Sequence, residues 1–292
     1  MAPAAALLLM TLAVAPARMR AAQSYPVTGI ILKVDQPHRT IVASINAIPG
    51  YMEAMVMPFS VREPQALSGL QPGAFVDFTL VVEKDDSYVL DIRLHHFQSL
   101  EQEALRARRL QLIEEQDQGI ARTNDLSPGQ LVPDFTLIDQ TGRRVTLSEF
   151  RGRIVALTFF YTTCPLPNYC LRLSNNFARL QKRFAGRLGK DLELLSITFD
   201  PVNDQPDVLA RYASTWKVDP SSWHFLTGPP PAVKAVCREF GVSFWSSDGT
   251  FTHALRTAVI DRQGRLAANL EGNEFSAEQL GDLVQSTLEG AR

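Results

Sequence analysis

Short runs rich in Val, Ile, Phe and Thr occupy 27–35, 40–46, 55–62, 74–83 and 88–96. Turn residues separate them: Gln36-Pro37-His38, Pro49-Gly50, Gln71-Pro72-Gly73 and Asp85-Asp86-Ser87. That punctuation predicts five strands, and five short strands in about 70 residues predict a small closed barrel, because closure removes exposed edges. The pattern changes after Phe97. Residues 101–116 (EQEALRARRLQLIEEQ) are strong helix formers dense in both charge signs, with Gly119 as a stop. Their apolar stripe is weak, which predicts a solvated linker helix. Further on, 153–161 (RIVALTFFY) and 192–198 (LELLSIT) are nearly continuous apolar runs, as expected of strands covered on both faces. Helical segments follow over 171–184, 205–216, 232–240 and 277–288, and 252–261 pairs with 266–271 around Gln263-Gly264. The second half is therefore an α/β sandwich with a mixed central sheet.

Residues 4–17 (AAALLLMTLAVAPA) form an uncharged run, short for a bilayer span and suited to the core of an export signal. Ala15 and Ala17 fit the small residues before a cleavage point. The expected division is an export signal over 1–22, a barrel over 25–97, a helical linker over 98–126 and an α/β domain over 127–292. An uncleaved leader is the alternative, and it is the only membrane contact expected. Both readings send the chain to a periplasmic or otherwise exported, oxidising compartment, where a cysteine pair can cycle through a disulfide. The 292 residues carry 29 basic and 31 acidic side chains, a formal charge of −2 that supplies no basic field for nucleic acid. Three cysteines are too few for a disulfide scaffold.

Two of the three, Cys164 and Cys170, flank Pro165-Leu166-Pro167-Asn168-Tyr169 directly after the apolar run that ends at Tyr161. The end of a strand leading into a helix is where α/β sheets place their sites. The prolines disfavour helix across the loop, so a helix is expected to begin near Cys170, whose thiol would then face the positive end of the dipole and favour thiolate. Such a pair can close into a disulfide, or both thiolates can hold a soft metal. Cys237 sits in an apolar helical stretch and reads as a packed, inert thiol. A Cys-x-x-Cys pair is absent, and Tyr161 stands where a peroxiredoxin pattern has Thr or Ser.

The segments Phe159-Phe160-Tyr161-Thr162-Thr163-Cys164-Pro165, Ser196-Ile197-Thr198-Phe199-Asp200-Pro201-Val202-Asn203-Asp204, and Thr252-His253 leading into Val259-Ile260-Asp261-Arg262-Gln263-Gly264 resemble the Sco/SenC family. The resemblance implies a thioredoxin-like fold from about Pro128 to Leu288. It also implies copper ligation by Cys164, Cys170 and His253. Five residues separate the cysteines where the family pattern has three. Thiolates are soft donors that select Cu(I), and imidazole is a compatible third ligand. Asp200 reads either as an orienter of a nearby loop or as a turn residue before Pro201.

Residues 48–59 hold Met52, Met55 and Met57, three of the six methionines. Met55 and Met57 share a strand face, and Met52 can curl over them. Thioethers are further soft donors for Cu(I), while methionines packed in a small barrel are the plainer reading. The segment resembles the CusF-like periplasmic copper-binding domain, an OB-like five-stranded barrel with Met-x-Met before Pro-Phe. Relatives carry a histidine where this chain has Ser44 and Ile45. His38 is a candidate substitute, whereas His95 and His96 are consecutive on a strand and point to opposite faces.

Together these features predict an exported metallochaperone that captures Cu(I) and delivers it to a cuproprotein. By resemblance, that recipient is a cytochrome oxidase subunit. The rival from the enzyme class is a thiol–disulfide oxidoreductase, with Cys164 and Cys170 as its redox pair, keeping a recipient's cysteines reduced. A third reading makes the barrel a partner-docking module.

Overall fold

A computed structural model describes residues 22–84, 86–95, 126–247 and 250–290. The apolar run over 4–17 and the helix expected over 101–116 lie outside the described residues. Strands β1 (Gln23–Asp35), β2 (Thr40–Ile45), β3 (Met55–Ser60), β4 (Phe75–Val82) and β5 (Ser87–Leu94) form an antiparallel sheet in the order β3-β2-β1-β4-β5. A bridge between Val61 and Val89 brings the end of β3 onto β5, giving the sheet its barrel-like closure. Ile31, Ile41, Phe59, Phe78 and Val89 fill the interior, with Phe59 and Phe78 edge to face at 5.1 Å.

The second sheet has seven strands in the order β14-β13-β8-β9-β10-β6-β7. Its centre is β8 (Ile154–Phe160), β9 (Leu192–Thr198) and β10 (Trp223–Thr227), all parallel, as crossover connections require. The crossovers carry α1 (Arg172–Arg183) and α2 (Pro206–Thr215), while α3 (Pro230–Glu239) follows β10. Every residue of β8 and β9 is buried, as their apolar runs foretell. Phe160 stacks on Tyr212 of α2 and Phe159 meets Phe240 beyond α3, so helices cover both faces. The antiparallel flanks are β6 (Thr136–Asp139) with β7 (Arg144–Thr146), and β13 (Arg256–Ile260) with β14 (Leu266–Glu271); α4 (Ala277–Gly290) completes the layer beside α1.

Two departures from the sequence pattern matter. The run 252–261 is two strands, because the chain leaves a separate ribbon of β11 (Phe244–Ser247) and β12 (Thr250–His253) before joining the main sheet as β13. Strand β10 escapes the apolar pattern because a buried histidine, His224, is its second residue.

The barrel is seated on the α/β part. In β1 the side chains of Ile30 and Leu32 leave the barrel interior and join the other core, whereas Ile31 between them stays inside. Ser44 Oγ donates to Asp282 Oδ2 of α4 at 2.7 Å, and Gln279 Nε2 donates to Ser44 O and Asn46 Oδ1. At Gly73 (φ +87°) an added Cβ would stand 2.8 Å from Ala268 Cβ, so the approach requires glycine twice over.

Candidate metal and thiol site

Strand β8 ends at Phe160, and the next five residues carry Tyr161 and Cys164 out of the sheet. The prolines keep the loop extended until a short π-turn, Pro167–Leu171, brings Cys170 under the start of α1. Cys164 is partly exposed and Cys170 buried. The loop is anchored by Asp204, which accepts from Thr162 N at 3.1 Å, from the Thr162 hydroxyl, and from Thr198 Oγ1 of β9. Burial raises the Asp204 carboxyl above the usual range, while these donors oppose the rise.

The two thiols divide their roles. Cys164 is pushed down to about 6, chiefly by the Cys170 thiol that donates to it, with help from backbone amides and the Tyr161 hydroxyl. Cys170 is pushed well up, because it spends its proton on Cys164 and is buried. This reverses the expectation from the helix dipole: the thiolate is Cys164 in the loop, and the hydrogen bond that Cys170 donates to it, followed by burial, keeps Cys170 protonated at the head of the helix. Tyr161 rises for the same reasons, burial first and then the Cys164 charge. Cys237 is fully buried and its thiol is raised by burial, as an inert packed residue should be.

His253, the last residue of the ribbon strand β12, is buried. Its ring lies 4.4 Å from Phe199 and 6.0 Å from Tyr161, centroid to centroid, and Nδ1 is 3.1 Å from Ala254 O. Burial pushes it down to about 4, so the imidazole is neutral. Tyr161 thus touches both sides of the site: its hydroxyl serves Cys164 and its ring abuts His253. Among the described residues no three His, Cys, Asp or Glu side chains converge closely enough to hold an ion as they stand. The structure brings Cys164 and Cys170 together, and Tyr161 links them to His253 by touching Cys164 with its hydroxyl and the imidazole with its ring. Asp200 is buried and accepts both hydrogen bonds of the Asn203 amide, within its own turn.

Sequence reasoning used Tyr161 only to exclude a peroxidase, and passed over Asp204. The signal for Asp204 was its place in the motif that begins at Ser196.

In the barrel, Met55, Met57 and Phe59 share the face of β3 that runs from exposed to buried. Met57 and Met52 pack against the barrel core, and Met55 is 45% exposed. Tyr51 stacks on Tyr25 at 4.1 Å beside them. His38 does not substitute for the missing histidine. Met55 pairs with Ile45 and Ser60 with Thr40, so the turn bearing His38 lies at the far end of the ladder, roughly 17 Å away. His38 pairs instead with Asp35 at 2.8 Å. His96 lies outside the described residues.

A family model described as SCO1/SenC matches residues 123–289, more than half of the chain. The chain belongs to the SCO1/SenC family. A second model, copper binding periplasmic protein CusF, matches residues 24–94 of this SCO1/SenC member. A SCO1 protein homolog of Bacillus subtilis is 30% identical over 97 residues, covering 33% of this chain and 49% of that protein. Protein sco1 of Schizosaccharomyces pombe is 28% identical over 165 residues, covering 54% and 60%. The chain therefore spans about half to three fifths of these relatives. A solved Aquifex aeolicus protein, 20% identical, superposes with a TM-score of 0.50 over 55% of this chain and 94% of its own. The SCO1/SenC part has the thioredoxin-like fold, and copper is the metal named by the model that matches the barrel. The donor set suits it: an ionised thiolate, a second thiol and a neutral imidazole are soft or borderline donors. No helix among the described residues is long and apolar enough to cross a membrane.

Proposed function

We propose that the chain is an exported copper-handling protein that captures Cu(I) through Cys164, Cys170 and His253 and passes it to a cuproprotein, with a cytochrome oxidase subunit as the recipient. The division into an export signal (1–22), barrel (25–97), linker (98–126) and thioredoxin-like domain (127–292) belongs to this reading. The observation that carries it is the Cys164 thiolate held beside Cys170 at the end of β8. Loading exchanges the shared proton for the metal ion, since ligands bind deprotonated. His253, whose ring packs against Tyr161, supplies the third, neutral donor. Met52, Met55 and Met57 form a weaker, neutral thioether site in the barrel, from which Cu(I) passes to the thiolates, whose charge favours a cation more strongly.

The asymmetry of the thiols favours a second reading, thiol–disulfide exchange. Cys164 is the attacking thiolate, Cys170 the resolving thiol, and the reduced pair gives two electrons and two protons to a recipient's disulfide.

Anaerobic Cu(I) titration against a competing chelator separates the two. The double Cys164→Ser, Cys170→Ser variant should lose the tight site, and His253→Ala should weaken it roughly 10–100-fold. If His253→Ala binds as tightly as wild type and disulfide exchange persists, the redox reading replaces the copper one. In the double-serine background a residual weak site should remain and vanish with Met55→Ala and Met57→Ala. If none remains, the methionines are packing.

A further inference from the structure

His95, just beyond β5, stands on the seam between barrel and α/β part. Its Nδ1 is 2.8 Å from Asp77 Oδ2 of β4, and its Nε2 is 2.7 Å from Glu274 Oε2 in the segment joining β14 to α4. The ring is edge-on to Phe75 at 5.1 Å and walls a narrow cleft with Ile30, Gly73 and Phe275. A protonated imidazole donates to both carboxylates. A neutral one offers a single N–H and turns a lone pair toward the other oxygen.

The charges around it are mostly acidic. Asp77 also accepts from Thr28 Oγ1, and Glu271 at the end of β14 lines the cleft while pairing with Arg256 at 3.2 Å. Arg93, the cross-strand neighbour of Asp77, is exposed. The hydrogen bond to Asp77, followed by the charges of Glu274 and Asp77, raises His95 above the ordinary imidazole range against its partial burial.

The segment that His95 grips also holds the cysteine loop. Asn273, buried beside Glu274, donates its side-chain N–H to the Asn168 carbonyl inside that loop. The Arg172 guanidinium at the head of α1 donates to Glu274 O at 3.0 Å. Residues 273 and 274 thus form a strut with the barrel at one end and the loop between the thiols at the other.

We propose that His95 is a proton-operated latch through which the barrel positions the cysteine loop, closed while the imidazolium bridges Asp77 and Glu274 and released when the ring loses its proton. His95, Glu274 and Asn273 are positioning residues. The latch works in the metal-free chain, so its test stands apart from that of copper binding.

The test is amide hydrogen exchange on the full-length, reduced, metal-free protein, read as protection factors over 165–170 and 272–276. In wild type, protection in both segments should fall roughly tenfold between about pH 6 and about pH 9, the loss of one charge-assisted hydrogen bond. His95→Gln, which cannot be protonated, should show the low value at both. His95→Arg, permanently charged and able to fork between two carboxylates, should keep the high value at both. Protection in β8 and β9 reports an intact fold, and Glu274→Gln should reproduce His95→Gln from the other side of the bridge. Equal protection in wild type and both bridge-breaking variants at about pH 6 overturns the latch. So does a wild-type-like fall with pH in His95→Arg, because Cys164 would then be its source.

Discussion

A single proton shared between Cys164 and Cys170 decides the chemistry of the loop. The largest influence on Cys164 is the Cys170 thiol, and the Tyr161 hydroxyl is a smaller one. Cys170→Ala should therefore move the midpoint of Cys164 alkylation from about 6 toward the ordinary thiol value near 9, and Tyr161→Phe should move it less. The sign is fixed, because the thiolate is the nucleophile: both changes slow alkylation below neutral pH and converge with wild type at high pH. A rate–pH profile with a haloacetamide reads this directly. The result also shows where residue-level reading of the sequence reached its limit. Spacing placed both cysteines at the strand end, but which one ionises depends first on which thiol donates to the other and then on burial, both properties of the folded neighbours.

At the scale of elements, strands β8 and β9 were legible because a strand buried on both faces writes a continuous apolar run. Strand β10 hides because His224 interrupts the run, and the ribbon over the site hides because nothing local separates Thr252 from Val259. The fold class and the order of most elements could thus be read, whereas the shielding of His253 by Tyr161 and Phe199 could not. A missed signal stood in β1, where Ile30, Ile31 and Leu32 are consecutive in a barrel strand that should alternate. Consecutive apolar residues there announce a second covered face. The cysteine loop has its own elementary fastening in Asp204. Asp204→Ala leaves two hydroxyls and one N–H without their acceptor in a buried place, and should cost roughly 2–4 kcal/mol in a denaturant titration. The variant should also speed exchange at the Thr162 amide; unchanged exchange there would mean the loop is held elsewhere.

For the whole molecule, a buried cluster at the end of the sheet opposite the thiols sets the pH response. Glu193 pairs with Arg153, and its other oxygen is 3.8 Å from His224 Nε2; burial pushes its carboxyl up to about 7 from 4.5. Between those values the folded chain keeps a proton that the unfolded chain releases, so this group's contribution is full below about 4.5 and is lost as pH rises through about 7. Glu193→Gln should flatten that decline, worth roughly 3 kcal/mol, in thermal melts taken across the same range. His253 acts in the opposite sense, since its lowered value makes acidification below 6.5 toward 4 destabilising. The seat of the barrel has a mechanical consequence. A hinge between two domains opens at little cost only where few apolar side chains cross it, and here the barrel would first have to withdraw Ile30 and Leu32 from the neighbouring core. Releasing the His95 corner loosens one strut, whereas lifting the barrel off is partial melting. The barrel and the α/β part therefore behave as one frame, and separating them would expose apolar surface that the folded chain keeps dry.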